Sequence, residues 1–368
     1  MNYEKKRSSS FELVKIIAMI FIICSSALPY GLTYGGGYDE VYVNLTETEF
    51  SFQHILFTLF RWMGQIGDTL FVGCSAWFLC DSKSFKAKKL IKMVMDTLLI
   101  SWIGLAIAMF FVSPTIGQIV KALLPITFQQ NWFVGCYIIY YLIHPLLNKA
   151  SSDLTKTQLM MLSSVLFVAY SLISVAIPGR YYYSNLVGFI CIHYYVMCTK
   201  RCLNEKIDLN TCRIISALAF IILGVFIVLQ NYLGNILDVA RTRNLYFCTY
   251  INPLIIIMAL SVIRLAAFER DFDSRLVNRI SSFSLLVYLL HANYFWLTYG
   301  KYWTLQKMMN FGIPRIGSVL LLAVGYIIFL PIMSGGYEMV FGKATLFISS
   351  LIDSKISRLV EKNIHGQA

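Results

Sequence analysis

Apolar runs of roughly 18–22 residues recur along the chain, separated by short polar or basic segments, and about 20 residues of α-helix cross a bilayer core. The pattern predicts helices at roughly 11–31, 67–81, 90–113, 131–148, 157–178, 183–200, 213–233, 246–268, 279–299 and 316–341. A membrane β-barrel would instead show alternating segments of about 10 residues, and these are absent. The expected fold is therefore all-α, a polytopic membrane protein of about ten transmembrane helices. Residues 1–345 form one membrane domain and 346–368 a cytoplasmic tail. The longest non-spanning stretch, Leu32–Gln65, contains Gly35-Gly36-Gly37 and the acidic Asp39, Glu40, Glu47 and Glu49. Its second half, Phe50–Met63, reads as a helix that lies at the interface or re-enters the membrane. Pro178-Gly179 and Pro314 fall at expected helix ends, as breakers should. A basic-then-apolar N-terminus has the order of a signal peptide, but no small-residue cleavage site follows. Met1–Gly31 is read as retained, forming the first helix.

Composition agrees with the pattern. Of 368 residues, 58% are hydrophobic and 14% charged, a mixture that would leave a soluble domain with too much apolar surface. The formal net charge of +12 invites a nucleic-acid reading, but its distribution excludes one. With the N-terminus inside, only Arg61, Lys121, Arg180, Arg241, Arg243, Lys301, Lys307 and Arg315 fall outside, and Lys15 lies in the membrane. The other 22 of the 31 basic residues are cytoplasmic. That bias is the positive-inside rule, and it places both termini in the cytoplasm.

The nine cysteines sit mostly in apolar runs, without metal-ligand spacing, and read as small buried hydrophobes. Asn44-Leu45-Thr46 is a sequon that short sequences produce by chance. Tyr181-Tyr182-Tyr183, Trp296 and Trp303 suit interfacial anchoring. Glu12 and Lys15 open the first helix, where charges are expensive unless they meet water, headgroups or partners; snorkelling of the Lys15 stem is one solution.

Five segments resemble the membrane-bound acyltransferase-3 family, which acylates bacterial surface polysaccharides. Phe11-Glu12-Leu13-Val14-Lys15-Ile16-Ile17-Ala18-Met19 matches its opening helix, and Gly67-Asp68-Thr69-Leu70-Phe71-Val72-Gly73-Cys74-Ser75-Ala76-Trp77-Phe78-Leu79 its second. Lys88-Lys89-Leu90-Ile91-Lys92 is similar to the basic stretch opening the third, and Asn131-Trp132-Phe133-Val134-Gly135-Cys136-Tyr137 to the start of the fourth. Val287-Tyr288-Leu289-Leu290-His291-Ala292-Asn293 looks like a late family segment. Each match is mostly apolar and weak alone; five in order and register are specific.

The resemblance implies a ten-helix fold in the bacterial inner membrane. It also implies O-acylation in polysaccharide biosynthesis, with acetyl-CoA or another acyl-CoA as donor, a glycan or lipid-linked saccharide as acceptor, and no metal. Lys15, Lys89 and Lys92 would meet the donor's phosphates, although the positive-inside rule already accounts for the last two. In the family, a histidine eleven residues after the first-helix basic residue is essential. Here that position is Ser26, preceded by Ser25. A serine is no base near neutral pH and is a nucleophile only when another group activates it. Of the five histidines, His365 is in the tail, His144 and His193 lie near inner helix ends, and His54 belongs to the outer segment. His291 is the best candidate base, expected in a polar patch with Ser284 and Asn293, although a structural histidine fits equally. Thr69, Ala76 and Ala292 also depart from the family pattern. Ser26 and His291 are thus the candidate catalytic residues. Three readings stay open: an active acyltransferase, a degenerate relative acting as an assembly partner, and a component of polysaccharide or acyl export.

Overall fold

A computed structural model describes residues 8–30, 41–45, 51–177, 184–203, 207–237, 245, 247–268 and 272–365, with side chains at 174 and 355–365 excepted. The glycine run at 35–37, Asp39, Glu40, Thr46, Glu47, Glu49, residues 178–183 and the His365 side chain lie outside that set. Every regular element among the described residues is helical.

The first helix, α1 (Ser9–Ala27), stops where Leu28 turns extended ahead of Pro29, because the residue before proline is driven out of the helical region. It packs along α2 (Phe52–Leu79). A Cβ on Gly67 would stand 2.5 Å from the Ala18 carbonyl, and one on Gly64 2.5 Å from the Ser25 hydroxyl. Two bare glycines thus let the backbones approach, the device expected of helices packed in lipid. Farther down, Phe11 meets Phe78 at 4.8 Å and Trp77 at 5.9 Å. The segment expected as a separate interfacial helix is instead the outer half of α2, whose 28 residues make a rod of about 42 Å. Val41, Val43 and Leu45 tuck into the core beside it, and the Val43 amide bonds the Pro29 carbonyl at 3.0 Å.

The chain continues through α3 (Ala87–Ala108), α4 (Ile116–Leu123), α5 (Trp132–Ala150) and α6 (Lys156–Leu166). The short α4, absent from the hydropathy reading, starts at a Thr115–Gln118 capping box. A π-helical turn, Phe167–Leu172, joins α6 to α7 (Ile173–Ala176). Next come α8 (Asn185–Cys202), α9 (Leu209–Gly234) and α10 (Pro253–Phe268). The α10 start has a physical cause: Asn252 Oδ1 accepts the Leu254 amide at 2.9 Å, with Pro253 at the first helical position.

The span expected at 279–299 is broken. It consists of α11 (Arg275–Ser282) and α12 (Ser284–His291), a break at 292–295, a π-helical turn Trp296–Gly300, and α13 (Lys301–Asn310); the two halves bend by 68°. The last helix, α14 (Arg315–His365), runs well past the expected end at 341, so the expected tail is helical through His365.

Among the described residues four helices are long and apolar enough to cross a membrane, and five if the bent pair counts as one. The others carry polar groups that protein rather than lipid surrounds, such as Asp68 in α2 and His193 in α8. By contrast α9 turns Ile214, Leu218, Phe220, Ile221 and Val225 outward, as a lipid-facing helix does. The chain is an all-α, multi-pass membrane protein.

Ends that the charge pattern assigns to the cytoplasm meet in space. Ser9 Oγ donates to Asn278 at 3.0 Å, and Asn148 Nδ2 to the Leu79 and Ser82 carbonyls at 2.8 and 2.7 Å. Lys200 and Arg201 bond the Trp77 and Cys80 carbonyls, capping α2, and both pair with Asp81. Burial works against the Asp81 charge, but those two cations outweigh it and hold its carboxyl below the usual value.

Candidate functional site

Eleven residues are close to three helical turns, so Lys15 and Ser26 lie about 20° apart around α1 and about 16 Å apart along it. The stripe Lys15, Met19, Ile22, Ser26 therefore runs from the cytoplasmic end toward the outer half. At its base Lys15 Nζ lies 3.2 Å from Glu12 and 5.8 Å from the Phe78 ring centre, while Ser281 donates to the other Glu12 oxygen. Lys15 does not simply snorkel; Glu12 pairs with it within electrostatic reach of Tyr137 of α5. Tyr137 stacks on Tyr141 with ring centres 6.3 Å apart, and Lys89 lies 5.3 Å from the Tyr141 ring. Two lysines thus flank a pair of tyrosines on a cytoplasm-facing rim.

Lys92 is used differently. Its ammonium is 2.8 Å from Asp96 and 3.4 Å from Glu338, and Tyr337 donates to Asp96 at 3.0 Å. This lysine ties α3 to α14.

His291 is buried, 2% exposed, at the end of α12. Its Nδ1 is 3.0 Å from the Val287 carbonyl. A carbonyl only accepts, so Nδ1 carries the proton and Nε2 keeps its lone pair. Among the described residues Nε2 makes no hydrogen bond. The ring stands edge-on to Tyr288 at 5.1 Å. Ser281, ten residues earlier, bonds Glu12; ten helical residues are about 15 Å, which brings His291 level with Ile22, one turn below Ser26. The expected patch with Ser284 and Asn293 is not assembled. Ser284 bonds the Ser281 carbonyl at 2.8 Å. Asn293 donates to the Ile100 carbonyl at 3.2 Å and accepts from the Phe295 amide at 3.1 Å, capping the chain after the break.

Ser25 packs on Gly64. Ser26 is half-buried and its hydroxyl makes no hydrogen bond among the described residues. The other histidines have local work. His193 Nδ1 lies 2.8 Å from the Tyr140 hydroxyl and Nε2 3.0 Å from Asn148, so both nitrogens are occupied. His144 Nδ1 bonds the Tyr141 carbonyl at 2.7 Å, near the cytoplasmic end. His54, in the first turn of α2, hydrogen-bonds Asn231. Thr69, where the family has Asn or Asp, bonds the Tyr250 carbonyl at 2.6 Å and holds α2 to the approach to α10.

Two groups at this depth escaped the sequence reading. Lys301, assigned to an outer loop, is 4% exposed and donates to the Leu28 carbonyl at 2.9 Å. Asp68, read only as part of a motif, is buried within electrostatic reach of Arg61 and Tyr288 and makes no hydrogen bond among the described residues. A charge inside an apolar run was the available signal for Asp68; Lys301 was hidden because an unbroken helix over 279–299 would put it in the outer loop. The nine cysteines are unbridged, and no group of metal-binding residues occurs among the described residues.

A family model for an acyltransferase domain matches residues 8–334. No curated protein and no solved structure matches the chain.

Proposed function

Because the chain belongs to the membrane-bound acyltransferase-3 family, we propose that it moves an acyl group, acetyl in the simplest case, from cytoplasmic acyl-CoA to a glycan hydroxyl, with His291 as the base. The observation that carries this reading is the Val287 carbonyl on His291 Nδ1, which leaves Nε2 bare at the depth of the serine pair. A positioned base of this kind contributes about 10²–10⁴-fold to rate. Lys15 and Lys89, flanking Tyr137 and Tyr141, suit the phosphates and adenine of the donor; Lys92, held by two carboxylates, contributes less. A bacterial inner membrane and a role in surface-polysaccharide O-acetylation belong to the same reading.

The test is transfer of label from acetyl-CoA to a polysaccharide acceptor by purified protein, with loss of transfer in His291→Ala. The serines at 25 and 26 favour a second reading, a degenerate relative serving as an assembly or export partner. Wild-type protein without transfer, together with a Ser26→His variant that transfers, decides for that alternative.

A further inference from the structure

We propose that Lys301 is the oxyanion-stabilising residue of this acyl transfer; the inference rests on the reading just given. The chain does unusual things to bring this lysine where it is. Asn293 caps the restart after the break and slots against Gly104, where a Cβ would stand 2.1 Å from its amide nitrogen. A π-helical turn, Trp296–Gly300, follows, and the helix restarts at a bend of 68° with its first residue at the end of α1. Irregular backbone at membrane depth persists only where protein or a cavity surrounds it, and π-turns recur at functional sites.

The first residue after that turn is Lys301. Its ammonium has three N–H donors, and one bond is made, to the Leu28 carbonyl two residues beyond Ser26. No carboxylate pairs with it among the described residues, whereas the cytoplasmic lysines at 15, 92 and 200 each have one. Its other neighbours are the Tyr302 ring at 4.9 Å and His291, within electrostatic reach. A buried cation with two unused donors, within electrostatic reach of a histidine whose Nε2 is free, supplies the two groups that acyl transfer requires.

The step balances without any further reactant. His291 Nε2 takes the acceptor hydroxyl proton as the oxygen bonds the thioester carbon. The carbonyl π pair becomes an oxyanion held by the two free Lys301 N–H groups. Collapse re-forms the carbonyl and expels the CoA thiolate, which takes the proton from the imidazolium.

Capping the negative end of α1 is the competing role, and charge separates the two. Lys301→Gln keeps a donor for Leu28 but removes the cation. Removing an oxyanion donor costs about 10²–10³ in turnover. We therefore expect purified full-length Lys301→Gln to lose about 100-fold in kcat, with KM for acetyl-CoA within about twofold. Lys301→Arg, which keeps bond and charge, should stay within about tenfold of wild type. Added ethylammonium should restore part of the activity of Lys301→Ala, whereas ethanol, which can donate to Leu28 but carries no charge, should not. A Gln variant at wild-type rate overturns the inference, as does a folded Arg variant no better than Gln. Wild-type protein without transfer removes the underlying reading as well, so the two failures are distinguishable.

Discussion

Carboxylates at the cytoplasmic end and ionisable groups buried deeper obey different rules in this molecule. At the cytoplasmic end four carboxylates each have an opposite partner: Glu12 with Lys15, Asp96 and Glu338 with Lys92, Asp81 with Lys200 and Arg201. Deeper, from the middle of α2 to the outer end of α1, Asp68, His291 and Lys301 are buried without an ion pair among the described residues. Pairing near water is how a helix bundle ties its ends together, at little net energy per exposed pair. Unpaired charge deeper in the protein is costly and persists where function needs it. Under the proposed function, the comparison separates a structural rim from a chemical centre.

The sharpest way to break it is to remove a centre residue and a rim residue and compare what each loses. His291→Ala should cut transfer by about 10²–10⁴-fold, with little change in elution or melting of the purified protein. Asp96→Leu should do the reverse. It leaves Lys92 sharing only Glu338 and frees the Tyr337 hydroxyl, so about 2–3 kcal/mol of stability should go, less than for a fully buried pair because Lys92 and Glu338 keep partial access to water. Transfer per folded molecule should stay within a few-fold, and denaturant titration with normalised activity checks both.

Size at the α1–α2 contact gives a third, intermediate test. Ser25→His forces an imidazole against Gly64, where even a methyl group stands 2.5 Å from the present hydroxyl; overpacking of this kind costs about 1–3 kcal/mol. Ser26→His enters a half-buried site and should fold as wild type. Expression and melting of the two variants side by side decide it.

The smallest effect is Asp81. Its lowered carboxyl value means its contribution is complete above about pH 4, the unfolded value, and fades as pH falls through the folded one. Half-exposed and screened, it should be worth less than about 1 kcal/mol. Asp81→Asn should therefore lower the melting temperature slightly at pH 7 and leave it unchanged near pH 3.

The sequence made much of this legible, for reasons visible in single residues. Apolar length exposed the helices, and Phe11–Met19 and Gly67–Leu79 marked the two family segments that the structure packs together. Hydropathy could not show that Phe52 continues unbroken into the second helix, because Gly64 and Gly67 look like breakers until α1 is seen packed on them. It also missed the break after His291, since one Asn among apolar and aromatic neighbours does not by itself end a helix; the capping bonds of Asn293 become evident only in three dimensions. Lys301 was lost with that break. His291 was found through its segment, but the proton assignment that leaves its Nε2 free depends on the Val287 carbonyl.

The central claim is the proposal that the unpaired buried groups perform acyl transfer. The most direct measurement is the initial rate of label transfer from acetyl-CoA to glycan by wild type, His291→Ala, and the double variant Ser26→His/His291→Ala. The account predicts turnover by wild type, a loss of about 10²-fold or more in His291→Ala, and partial recovery in the double variant, since residue 26 lies one turn from the same depth. Equal rates for wild type and His291→Ala would contradict it.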